Sequence, residues 1–128
     1  MSGPIVFISR HRIKEGKLEE LRKMTKEGMA MIEADKPGTA FQCAYVSEDT
    51  PEVSFVHIFP DADAMEHHMV GVDDRSNRSK EVIKPVSMEI FGLPSEKVSE
   101  MFKQIEARGI SLTIQSQYLG GFSRFSAD

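Results

Sequence analysis

Apolar and polar positions along this chain follow two periods, one of two residues and one near three and a half. Residues 5–13 put Ile5, Phe7, Ser9 and His11 on one face and Val6, Ile8, Arg10 and Arg12 on the other. That is a strand whose first half is apolar on both sides. After Lys14-Glu15-Gly16-Lys17, the residues Leu18, Leu21, Met24 or Thr25, Gly28 or Met29, and Ile32 recur at three- and four-residue steps. This spacing predicts a helix over 17–34, ended by Lys36-Pro37-Gly38. Period two returns over 39–47, with Phe41, Cys43 and Tyr45 on one face and Ala40, Gln42, Ala44 and Val46 on the other. A polar turn at 48–52 separates it from a strand over 53–59, so the two form an antiparallel hairpin. Pro60-Asp61 then opens a short helix that carries His67 and His68, with Asp61 as its cap and Asp63 favourable to its dipole.

Residues 71–80 are the most polar stretch and show no apolar periodicity, which predicts a mobile connection ending in a short helix towards Ile83. A fourth strand follows at 85–91, with Val86, Met88 and Ile90 on one face and Ser87, Glu89 and Phe91 on the other. Gly92-Leu93-Pro94-Ser95 marks a boundary. Ser95 can cap a helix in which Val98, Met101, Phe102 and Ile105 form a stripe, closed by Gly109. Residues 110–116 alternate strictly, a strand with one wet face, and a tail with Phe122 and Phe125 closes the chain.

The order β-α-β-β-α-β is the split-βαβ, ferredoxin-like arrangement of an α+β fold, here with an extra C-terminal helix and strand. The expected division is a ferredoxin-like domain over 1–93. Residues 94–128 form an extension packed on that domain or on a partner subunit. Helices cover one face of such a sheet, yet the strands are apolar on both. Two copies meeting through the uncovered faces would bury it, so a homodimer is expected.

Composition narrows the class. The 128 residues are 40% hydrophobic and 28% charged, with a formal charge of −4. That charge gives no general attraction to nucleic acid or to an anionic membrane surface. No run reaches the roughly 18 apolar residues of a membrane span. A single cysteine, Cys43, excludes an internal disulfide and fits a reducing cytoplasm.

Three stretches are specific enough to compare: Arg12-Ile13-Lys14-Glu15-Gly16-Lys17-Leu18-Glu19-Glu20-Leu21, the Lys36-Pro37-Gly38-Thr39 turn, and Phe59 followed by the run from Asp61 through His67-His68 to Met69. Together with the element order they resemble the dimeric α+β barrel superfamily, and within it the antibiotic-biosynthesis-monooxygenase-like domains, over residues 4–92. The resemblance sets His68 at that family's histidine position and Phe59 where a tryptophan is usual. It implies a homodimer and a pocket between sheet and helices. It also implies cofactor-independent oxygenation of a small aromatic, quinol- or polyketide-like molecule with His68 as base, or a non-catalytic binding or structural dimer. Haem-degrading members use an Asn, a Trp and a His, and this chain has no Trp.

The residues themselves leave alternatives open. His68 falls on the apolar side of its helix with Met65 and Val72, as a general base or ligand partner, or as a half-buried structural histidine. His57 shares a strand face with Val53, Phe55 and Phe59, and is a pocket residue or a satisfied core histidine. Phe41, Phe55 and Met88 are candidate apolar walls. His11 sits at a strand end and is expected to be exposed. Adjacent His67 and His68 diverge, and no HxxxH spacing occurs, so no metal site and no cofactor are expected. Cys43, mid-strand between aromatics, reads as an inert thiol. Arg10, Arg12, Arg75 and Arg78 read as solvated charges.

Overall fold

The structure, a computed structural model, describes residues 3–124. In chain order the elements are β1 (Ile5–Ile13), α1 (Leu18–Asp35), β2 (Phe41–Val46), β3 (Glu52–Phe59) and α2 (Ala62–Met69). Then come α3 (Val72–Ser79), β4 (Ile83–Phe91), α4 (Glu96–Ala107) and β5 (Ser111–Gln115). The strands form one sheet in the order β2-β3-β1-β4-β5. The first four pair antiparallel in the ferredoxin-like order, while β5 joins the edge parallel to β4. A parallel neighbour needs a crossover, and α4 is that crossover.

Local chemistry sets the helix ends. The Asp61 carboxylate accepts from Ala64 N–H at 2.8 Å, and Ser95 Oγ accepts from Val98 N–H at 3.3 Å, so α2 and α4 begin with capped amides. Lys17 gives α1 no side-chain cap, and Glu19 and Glu20 in its first turn favour the helix dipole instead.

Residues 71–80 depart from expectation. They form α3, opened by Gly71 at φ 88°, with Asp73 and Asp74 in the first turn and Arg78 in the last. Its inner face is Val72, Arg75 and Ser79, all half-buried at helical spacing. An apolar-periodicity test cannot see a stripe made mostly of polar residues. In β4 a register shift between Arg10 and His11 places Pro85 opposite His11 and Ser87 opposite Arg10, so Val86 is the extra residue. It is 47% exposed, off the inner face where strict alternation would have put it.

All four helices pack on the face that carries Phe7, Val53, His57 and Phe59. There the core divides in two. One cluster joins Ile5, Phe7, Phe59 and Ile90 to Met65 and Met69 of α2 and to Val98 and Phe102 of α4. The other joins Ile13, Val53, Val82 and Ile83 to Leu21 of α1. Phe102 is fully buried, its ring edge-on to Phe7 at 5.2 Å, so truncation to Ala would cost about 3–5 kcal/mol.

The opposite face has no helix over it among the described residues. Val6 and Ile8 lie beside Ile58 and Val56, which lie beside Phe41 and Cys43, all half-buried. Tyr45 is 70% exposed at the end of that row. An Arg10–Glu89 ion pair crosses the neighbouring strands on the same side. Phe125 lies outside the described residues, while Phe122 is 84% exposed and Tyr118 packs its ring over Gly3.

Candidate functional site

The space between the two core clusters is not filled. The inward stripe of α1 is buried at its ends, at Leu21 and Ile32, but its middle residues Met24, Thr25, Gly28 and Met29 face a cavity of about 690 Å³. Gly28 contributes to the hollow, since a Cβ there would meet nothing within 4 Å. The sheet floor is built by Phe7, Ser9 and His11 of β1, Gln42 of β2, and Phe55 and His57 of β3. Polar residues of α3, including Asp73, Arg75 and Asn77, form another wall.

At one end of the cavity two buried histidines meet edge to face, His57 and His68, with ring centroids 5.2 Å apart. Phe59 stands beside both, 6.1 Å from His57 and 5.0 Å from His68, and Phe7 stacks on His57 at 4.9 Å. His57 Nδ1 lies 3.0 Å from the Phe7 carbonyl oxygen. A carbonyl only accepts, so Nδ1 carries the proton and the neutral ring keeps its lone pair on Nε2. His68 Nδ1 is hydrogen-bonded to Thr39 Oγ1 at 2.7 Å. The Pro37-Gly38 turn makes that reach possible, because a Cβ on Gly38 would press to 3.1 Å from Ala64 Cβ on α2.

Electrostatics keep both rings neutral. Burial first, with Arg75 and His11 adding repulsion, pushes His57 from 6.5 down to about 4 despite its bond to Phe7. Burial first, then the His57, Arg75, Lys36 and His67 charges, pushes His68 down to about 3. The surrounding cations are held in place by the end of α2. Lys36 Nζ donates to the His67 and Val70 carbonyls, and Arg75 donates to the Val70 and His68 carbonyls, at 2.7–3.1 Å. They complete the helix C-terminus and tie α3 to the histidine helix.

Of the residues picked from sequence, His57, His68, Phe55 and Met88 come together on the cavity. Phe41 does not. It pairs with Ile58, whose side chain alternates away from His57 and Phe59, so Phe41 belongs to the uncovered face. His67 is exposed. His11, expected outside, is half-buried with its ring edge-on to Phe55 at 5.5 Å, and burial lowers it to about 4. The strand runs on past it to buried Ile13, so His11 is not at the rim. Thr39 and Gln42 were not singled out in the sequence. Gln42, a long polar side chain between two alanines on the inward-facing register, was the available signal. Among the described residues no group of three His, Cys, Asp or Glu could hold a metal ion, and no helix is long and apolar enough to cross a membrane.

Solved structures share this architecture. MupZ from Pseudomonas fluorescens superposes with a TM-score of 0.72 over 95% of each chain at 16% identity. SnoaB, a cofactor-independent oxygenase from Streptomyces nogalater, gives 0.60 over 73% of this chain and 96% of its own at 14% identity. A candidate antibiotic biosynthesis monooxygenase from Caulobacter crescentus gives 0.62 over 73% and 91% at 18% identity. The fold is that of the antibiotic-biosynthesis-monooxygenase-like proteins. At these identities the likeness is one of fold. No family model matches the chain, and no curated protein matches it in sequence.

Proposed function

We propose that the cavity binds a small aromatic molecule bearing a hydroxyl group, of quinol or polyketide-like character, and that the protein oxygenates it without a cofactor. The observation that carries this reading is the His57–His68 pair, 5.2 Å apart at one end of a cavity of about 690 Å³ with Phe55 and Met88 on its walls. A phenol fits such a site by laying its ring on apolar side chains and its hydroxyl on an imidazole lone pair.

In the proposed reaction His68 accepts the hydroxyl proton, with the His57 ring packed edge to face against it. The phenolate then delivers electrons to molecular oxygen directly. One oxygen atom bonds the ring carbon para to the hydroxyl and becomes a carbonyl. The other leaves as water with that carbon's hydrogen and the hydroxyl proton, so a phenol and O₂ yield a quinone and water. The electron count needs no metal or flavin. Burial makes an imidazolium at His68 costly, so proton transfer is coupled to the presence of the phenolate beside it. The test is turnover of 1-naphthol, whose para carbon carries hydrogen, by the native chain and by His68→Ala; equal rates remove the role given to His68.

The low proton affinity of the two histidines also favours a second reading, a non-catalytic binding protein in which they only accept hydrogen bonds. A para-unsubstituted naphthol that binds yet is oxidised no faster than in buffer selects it.

The working unit is a homodimer joined through the uncovered face, where Val6, Ile8, Val56, Ile58 and Phe41 would meet their copies. Leu119 and Phe122, exposed on the tail after β5, would contact the partner. The lone Cys43 fits a reducing cytoplasm.

A further inference from the structure

Two polar atoms of this cavity are withdrawn from solvent without a hydrogen-bond partner among the described residues: Nδ1 of His11 and Oε1 of Gln42. Both residues line the cavity. An unpaired buried polar atom is costly, and native folds retain few of them. These two are far apart. Gln42 stands opposite His57, which stands opposite Phe7, whereas His11 lies four residues further along β1, opposite Val53. Four strand residues span roughly 13 Å. Between the two levels lie Ser9, whose Oγ is 3.3 Å from His11 Nε2, and Phe55, whose ring meets the His11 ring edge-on. The floor therefore has a polar point towards each end and an aromatic wall between.

We propose that Gln42 and His11 are ligand-binding, specificity-determining residues that each form a hydrogen bond with a polar group at one end of a ligand with an apolar body. The Gln42 carbonyl oxygen accepts, so the group facing it is a donor. His11 Nδ1 donates or accepts according to which way the Ser9 hydroxyl points, and a ligand hydroxyl satisfies either state. The ligand class is a rigid, bifunctional molecule with a hydroxyl or N–H near each end. This deepens the aromatic-binding part of the proposed function and rests on it; it requires no turnover.

The test uses the full chain and three probes: biphenyl, its para-monophenol and its para,para-diphenol, with affinities read by calorimetry. The native protein is expected to bind the diphenol most tightly and biphenyl least. Gln42→Met and His11→Phe are each expected to weaken the diphenol about tenfold while leaving biphenyl nearly unchanged. Retained biphenyl binding shows that the variant has kept its cavity, and Gln42→Leu and His11→Leu repeat the measurement if a larger side chain disturbs the wall. Equal affinity of the native protein for biphenyl and diphenol overturns the proposal. So does an undiminished diphenol preference in the variants, which would mean that other groups of the cavity bind the two hydroxyls. A protein that selects the diphenol but consumes no oxygen keeps this inference and loses the oxygenase reading.

Discussion

The imidazole of His57 lies flat against the ring of Phe7 and is hydrogen-bonded to the backbone carbonyl of that same residue. One neighbour thus fixes both the plane and the tautomer of the histidine. Because β1 and β3 are paired with Phe7 opposite His57, the contact is a property of sheet register, and its lone pair is set before any ligand arrives.

Acid sensitivity follows from two buried imidazoles, His57 and His68, and the half-buried His11. His57 and His11 are lowered to about 4 and His68 to about 3, against 6.5 when unfolded. Below pH 6.5 the unfolded chain takes up protons that the folded chain refuses, so stability falls as pH drops towards 4 and is unaffected by these groups above 7. Each group contributes a slope of up to about 1.4 kcal/mol per pH unit, less for half-buried His11. Denaturant melts from pH 7.5 to 4.5 should show this decline, and His57→Phe should flatten it. A pH-independent midpoint would contradict the burial.

Thr39→Val removes the hydroxyl that holds His68 Nδ1. The expected cost is about 1 kcal/mol in stability, with a larger fractional loss of naphthol turnover than of naphthol affinity. Unchanged His68 ring ¹⁵N shifts in the variant would show that the bond has no orienting role.

Arg75→Met deletes the donors that bind the His68 and Val70 carbonyls. Since α3 buries no residue completely, this latch is a main tie to α2. Amide exchange is expected to accelerate across residues 72–79 and little elsewhere, with a global loss of about 0.5–1.5 kcal/mol. Uniform acceleration over the sheet would instead mean that Arg75 supports the whole fold.

Val56→Lys places a charge at the middle of the uncovered sheet face without touching the cavity side. Sedimentation velocity at micromolar concentration should show a dimer for the native chain and a monomer for the variant, with unchanged far-ultraviolet circular dichroism. A native monomer would refute assembly through this face.

Most of the frame was legible in the sequence because it is carried by apolar periodicity. The stripe Val98, Met101, Phe102 and Ile105 and the two-sided strand around Phe55 read directly. What escaped depends on long-range placement. α3 presents Arg75 and Ser79 inwards, so no apolar signal marked it. Phe41 read as a wall because alternation says which residues share a face but not which face meets the helices. The shift at Val86 and the burial of His11 arise from pairing between β1 and β4, residues more than seventy positions apart. The hollow entered only through the family resemblance, since periodicity does not show that the middle of α1 fails to fill the space between two clusters.

Oxygen uptake tests the functional reading most directly. The native chain, treated with a chelator and given 1-naphthol shown by calorimetry to bind, is expected to consume one O₂ per naphthoquinone formed, with no peroxide released, at a rate that collapses in His68→Ala. Binding of that naphthol with oxidation no faster than in protein-free buffer would contradict it.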